Sequence, residues 1–220
     1  DSMDTAAQWD ISGIWDVGDS SPHEGSGYLA TAPGDTYPAS ANESMLTAVD
    51  ISGSEWPVLT FHDRFDLGAG DRAWLEVSPN GTGWTRIYGL RDGTRSEWAE
   101  QSLDLSPWRD ADNLRIRFTI SSDGDASTGN GWAIDALSVD EHPPVAIALP
   151  FEEGFESGLA NWLHAAWRID TNATYAGEAS VVDGDTVTVP GEYSQAVYHH
   201  LVLGGELPLA GTANPQLTFW

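Results

Sequence analysis

The sequence contains no cysteine and, among its nine basic residues, no lysine. The missing thiols exclude disulfide stapling and thiol catalysis; they suit a cytosol, or a microbial exterior where sandwiches fold without bridges. Long Leu- or Ala-rich helical stretches are absent, as is any apolar run of the ~20 residues needed to span a bilayer. No signal peptide or lipid-anchor motif is seen, and the opening at Asp1 reads as a mature or excised fragment. Basic charge is scarce: nine arginines face 34 acidic residues, for a net charge of -25 and a pI near 4.1. Such a surface repels nucleic acid and anionic lipid, so neither a nucleic-acid partner nor membrane insertion within this fragment is expected. It attracts divalent cations and basic partners, and its simplest role is to keep the chain soluble.

Catalytic signatures are missing too. His23-Glu24 is followed by Gly25-Ser26-Gly27, so the second histidine of an H-E-x-x-H zinc motif is not there. Tyr198-His199-His200-Leu201 lacks a third ligand at helical spacing. There is no G-x-S-x-G elbow and no phosphate loop. Carboxylate pairs are too common in so acidic a chain to nominate a glycosidase dyad. No enzyme is expected.

What the chain does contain is 40% hydrophobic and 10% aromatic residues, enough for a packed core, with 23 glycines and 12 prolines as punctuation. That composition predicts many short strands joined by turns. Period-two alternation predicts strands over 58–67, 73–78 and 84–88, with a hairpin turn at Pro79-Asn80-Gly81-Thr82-Gly83. Leu114, Ile116, Phe118 and Ile120 alternate with Arg115, Arg117 and Thr119, the pattern of a strand with one buried face. Trp132, Ile134 and residues 137–139 form the expected closing strand.

Internal repetition sets the domain plan. Gln8-Trp9 and Trp15-Asp16 return as Asn161-Trp162 and Trp167-Arg168, and Pro57-Val58-Leu59-Thr60-Phe61 returns as Pro215-Gln216-Leu217-Thr218-Phe219. Trp9 to Pro57 spans 48 residues and Trp162 to Pro215 spans 53. The expected plan is all-β, with tandem jelly-roll β-sandwiches of which the second is incomplete. Residues 1–141 form a sandwich lacking its first strand, 142–149 a linker stiffened by Pro143-Pro144, and 150–220 the N-terminal half of a homologous sandwich. A half sandwich leaves sticky strand edges, to be completed by further sequence or by strands of another copy in a filament.

The ordered series Trp74-Leu75-Glu76-Val77-Ser78, Asn80-Gly81-Thr82-Gly83-Trp84, Leu103-Asp104-Leu105-Ser106, Leu114-Arg115-Ile116-Arg117-Phe118 and Gly131-Trp132-Ala133-Ile134-Asp135 resembles a known family. It looks like the MAM-like jelly-roll modules that accompany immune-inhibitor-A-type secreted metalloproteases and recur in bacterial surface proteins. Phe151-Glu152-Glu153-Gly154-Phe155-Glu156 resembles the module opening. The resemblance implies an extracellular or cell-surface location and a structural or adhesive role beside other protein modules or copies of the same chain. Jelly-roll modules often hold a structural calcium between an opening-strand Glu and a closing-strand Asp; the resemblance implies Glu152 or Glu156 in the second copy and Asp135 in the first as candidates, each without its partner in this fragment. Ala136 stands where the family often has a second Asp.

Ligand chemistry adds Asp123 and Asp125, in an oxygen-rich loop at 123–130, as calcium candidates. Among eleven tryptophans, the family resemblance implies core or hairpin positions for Trp9, Trp84 and Trp132. Trp56, Trp98 and Trp108 lie among polar residues and are the candidates for an exposed glycan-stacking platform. Asn42, Asn80 and Asn172 open N-x-S/T sequons, acceptors if the source glycosylates. Two other readings stand beside the adhesive one: an accessory domain of a secreted metalloprotease, and a carbohydrate-binding module.

Overall fold

A computed structural model describes residues 2–183 and 200–219. In chain order the first eight strands are β1 (Asp10–Ile11), β2 (Trp15–Gly18), β3 (Tyr28–Thr31), β4 (Asn42–Val49), β5 (Pro57–Ser78), β6 (Thr85–Asp104), β7 (Leu114–Ser121) and β8 (Gly131–Glu141). A single 3-10 turn, Ser106–Trp108, is the only helical element among the described residues. The chain is an all-β sandwich.

The long β5–β6 hairpin builds both layers. The first part of β5 pairs with β8 and with the end of β6; beyond β8 lie β3 and β2. We term this sheet one. The last part of β5 pairs with β7 and with the start of β6, and β4 and β1 extend that layer, sheet two. The sequence predicts two strands, 58–67 and 73–78; they are one, because the ladder resumes after an irregular step between Leu67 and Arg72. Gly68 permits that bend: a Cβ there would collide with the Ser127 carbonyl.

Between the layers, alternate residues of every central strand point inward. Leu59, Phe61, Leu75, Val77, Leu114, Ile116, Phe118, Ile120 and Ile134 are essentially inaccessible. Phe61 and Phe118 meet edge to face at 5.4 Å, and Trp132 lies 5.2 Å from Phe118. Trp15 packs 6.3 Å from Trp132, tying the edge hairpin to the centre.

A buried carboxylate sits within this apolar layer. Asp63 accepts from Tyr88 Oη at 2.9 Å, Trp132 Nε1 at 2.9 Å and Gln101 Nε2 at 3.1 Å, and pairs with Arg95. Four donors from two strands, β6 and β8, converge on one residue of β5, which fixes the mutual register of the three.

The rest of the described chain forms small ladders. Strand β9 (Val145–Ala146) lies within the expected linker and pairs in parallel with β14 (Gly205–Glu206). Strands β10 (Trp162–Ala165) and β13 (His200–Leu203) pair, as do β11 (Trp167–Asp170) and β12 (Ser180–Asp183). This segment leans on β6: the His164 amide donates to Ser102 Oγ at 3.1 Å and the Ala166 amide to Gln101 Oε1 at 2.9 Å. Ala165 and Ala166 are thereby buried in the main core. The repeat anchors differ sharply in environment. Leu59 and Phe61 are fully buried, whereas Leu217 is 86% and Phe219 82% exposed.

Candidate functional site

The outer faces of the two sheets have opposite character. On sheet one, β5, β6 and β8 turn Thr60, His62, Arg64, Glu100, Ser102, Asp135 and Asp140 outward. Much of this face is covered. The loop after β2 lies over it, latched by Asp135, whose Oδ2 accepts the amides of His23 and Glu24 at 2.7 and 3.0 Å. Arg64 holds the same loop at Ser20 O and stacks on Tyr28 and Trp98, 5.0 and 4.5 Å from their ring centres. Further along, residues 159–164 form one wall of a cleft of about 480 Å³ that includes Glu100, Asp140, His142, Trp162 and His164.

On sheet two the register aligns outward side chains in rows. One row runs Asp10, Leu46, Arg117, Glu76 and Arg86 across β1, β4, β7, β5 and β6. The next runs Ser44, Thr119, Trp74 and Gly89, and a third holds Ala48, Arg115 and Ser78. Among the described side chains, four arginines (Arg72, Arg86, Arg115, Arg117) share this face. Two of them lie on indoles: Arg86 is 4.3 Å above Trp74, and Arg117 is 3.8 Å above Trp84 while also pairing with Glu76 at 2.7 Å. Both tryptophans are half-buried. Stacking of this kind keeps a guanidinium flat on the ring with its N–H edge turned sideways. Trp74 Nε1, Arg117 Nε and Thr119 Oγ1 are buried with no hydrogen-bond partner.

The residues predicted from sequence fall elsewhere. Trp98 is half-buried on sheet one, its Nε1 donating to Ser21 O at 3.1 Å. Trp56 precedes β5 and is bound through its backbone to Glu141 and His142, while Trp108 packs against the main core. The three form no common platform. Trp84, assigned by sequence to a hairpin position, and Trp74, not singled out, are the pair that one face brings together.

The calcium candidates are dispersed as well. Asp123 Oδ1 accepts the Asp125 amide at 2.9 Å and Asp125 Oδ1 the Ser127 amide at 2.7 Å, which shapes the exposed loop. Asp135 is fully buried and spends its oxygens on three amides, the third being that of Ala136. Glu156 caps the amides of Glu178 and Ala179, and Glu152 is exposed. Among the described residues no three His, Asp or Glu side chains converge as a metal-ligand group. Asn42, Asn80 and Asn172 are all exposed; Asn80 Oδ1 also organises its turn by accepting from Thr82 and Gly83. Of the histidine pair at 199–200, His199 lies outside the described residues.

Two histidines give the fold a pH dependence. Burial holds His62 below the usual histidine range, aided by the charge of His23, stacked 3.6 Å away, and opposed by Glu100, Asp135 and Glu24. Burial likewise lowers His164, against Glu100. Both therefore take up a proton more readily unfolded than folded. Their effect on stability is nil above the ordinary value of ~6.5, and stability is lost as pH falls below it toward the folded values. Acid also relieves the self-repulsion of so acidic a chain, so the comparison must be internal. Wild type should lose melting temperature relative to His62→Gln/His164→Gln between about pH 7.5 and pH 5. Parallel melting curves across that range would contradict it.

Neither a family model nor a curated protein sequence matches the chain. Solved structures resemble it at low identity. A family 61 carbohydrate-binding module in complex with β-1,4-galactotriose matches with TM-score 0.47 and 14% identity, over 63% of this chain and 91% of that one. The K1 cleaved adhesin domain of Lys-gingipain from Porphyromonas gingivalis W83 matches with TM-score 0.44 and 16% identity, over 61% and 91%. A family 22 xylan-binding domain gives 0.40 and 13%, over 62% and 88%. At these values the similarity assigns no ligand to this chain.

Proposed function

We propose that this chain is a non-catalytic, extracellular adhesion module that holds glycans on the outer face of sheet two. The observation that supports this reading is the pairing of Trp74 and Trp84 on one sheet face, each with a guanidinium laid over its ring. Indole rings offer flat apolar surface to sugar C–H groups, and the flanking Arg, Ser and Thr groups offer directed hydrogen bonds to hydroxyls. Trp74 stands on β5 and Trp84 in the short turn that leads into β6, so the surface is largely held in shape before a ligand arrives. The MAM-like strand motifs and the repeated anchors support the same setting, a secreted or surface protein built from successive sandwiches. Affinity electrophoresis through gels containing a range of polysaccharides tests the proposal. Retardation by at least one polymer, with no release of reducing ends, is the expected result. Unretarded migration in every gel would rule the reading out.

A further inference from the structure

Resting on that glycan reading, we infer that the ligand of sheet two is an acidic polysaccharide, one whose carboxylates or sulfates meet the stacked arginines. The first ground is where positive charge is placed. A chain with 34 acidic residues and nine arginines gathers four arginines, among the described side chains, on one face. Among that face's register-aligned positions, the carboxylates are Glu76, already paired with Arg117, and Asp10 on the edge strand. The opposite face carries Glu100, Asp104, Asp135 and Asp140 against Arg64. Charge is segregated between the two layers.

The second ground is the balance of donors and acceptors. A neutral sugar's hydroxyls both donate and accept, so each also needs a carboxylate, amide or hydroxyl to take its proton. Here the central rows supply guanidinium N–H groups beside the two indoles. A ligand that brings only acceptors, as a carboxylate or sulfate does, matches this surface; hydroxyls that must also donate find the central carboxylate, Glu76, already paired. Arginine binds planar oxyanions through two parallel N–H···O bonds, and a guanidinium resting on an indole has lost much of the freedom such a bond would freeze. The arrangement thus favours anion capture over simple stacking.

The net charge of -25 does not oppose this at working ionic strength. Screening acts over ~8 Å at physiological salt, while the two layers of a sandwich are ~10 Å apart before side chains are added. A bound anion therefore responds to the arginines beside it more than to carboxylates across the core.

The test uses the full chain with polygalacturonate (carboxylate), heparin (sulfate), and neutral galactan and xylan as probes, measured by titration calorimetry. Binding of a polyanion at least tenfold tighter than of either neutral polymer is expected. It should weaken at least tenfold between ~0.15 and ~0.5 M salt, and as much in Arg86→Gln/Arg117→Gln. The two polyanions distinguish carboxylate from sulfate as the anion. Arg72→Gln/Arg115→Gln, whose side chains do not stack on the indoles, provides a second variant should the first fold poorly. Equal binding of neutral polymers, unmoved by salt and by both variants, overturns the anionic assignment and leaves the glycan reading in place. Binding of no polysaccharide removes both. Salt-sensitive self-association abolished by the same variants would place the acidic surface of a second copy on this face and also overturn the inference.

Discussion

Asp63→Ala is expected to cost about 3–5 kcal/mol of folding stability, the largest loss from any single polar side chain in the sandwich. Asp63 is inaccessible to solvent and receives Tyr88 Oη, Trp132 Nε1 and Gln101 Nε2, with Arg95 as its ion partner. Alanine leaves those donors and a mostly buried guanidinium without their acceptor, and each buried donor so stranded costs ~1–3 kcal/mol. Gln101 transmits the damage, because its Oε1 holds the Ala166 amide while its Nε2 binds Asp63. Loss of Asp63 should therefore also lower hydrogen-exchange protection at Ala166, remote in sequence. Asp63→Asn keeps the shape and part of the hydrogen bonding, and should fall between alanine and wild type. Urea unfolding followed by tryptophan fluorescence reads all three; a difference below about 1 kcal/mol for Asp63→Ala would refute the hub.

The second large effect concerns binding. Trp74→Ala and Trp84→Ala are each expected to weaken glycan affinity about thirtyfold or more, the ~2 kcal/mol typical of an aromatic hot spot. Each substitution removes the ring beneath a guanidinium, so it removes stacking surface and also frees an arginine that was held flat. Trp98→Ala should leave affinity unchanged, since its ring belongs to the Tyr28–Arg64 cluster on the other sheet. Equal losses in all three variants would point to a general loss of fold rather than a site on sheet two.

Much of the fold was legible in the sequence because it is written in period-two alternation and turn chemistry. Arg115, Arg117 and Thr119 between apolar neighbours mark β7, and Asn80-Gly81 marks the turn between β5 and β6. The continuity of β5 was not legible. Gly68-Ala69-Gly70 reads as a break, yet the strand passes through it because the missing Cβ of Gly68 lets the 123–130 loop approach. The site was only partly readable for a similar reason. Trp98 sits among polar residues in sequence, but its partner Ser21 is 77 positions away. Asp135 reads as a metal ligand until the amides of His23 and Glu24, 112 and 111 positions away, are seen to use it. The arginine–tryptophan face did leave a signal. In a chain this poor in basic residues, Arg115-x-Arg117 and Trp74-x-Glu76 recur at outward strand positions, and only the register shows that they adjoin.

Contact of ligand with the outer face of sheet two is tested most directly by titrating a bound oligosaccharide into ¹⁵N-labelled protein and following the indole N–H resonances. Trp74 and Trp84 are expected to shift and saturate together, with the Arg86 and Arg117 amides, while Trp98, Trp56 and Trp162 stay in place. Shifts confined to Trp98, or to Trp162 in the cleft of sheet one, would contradict it.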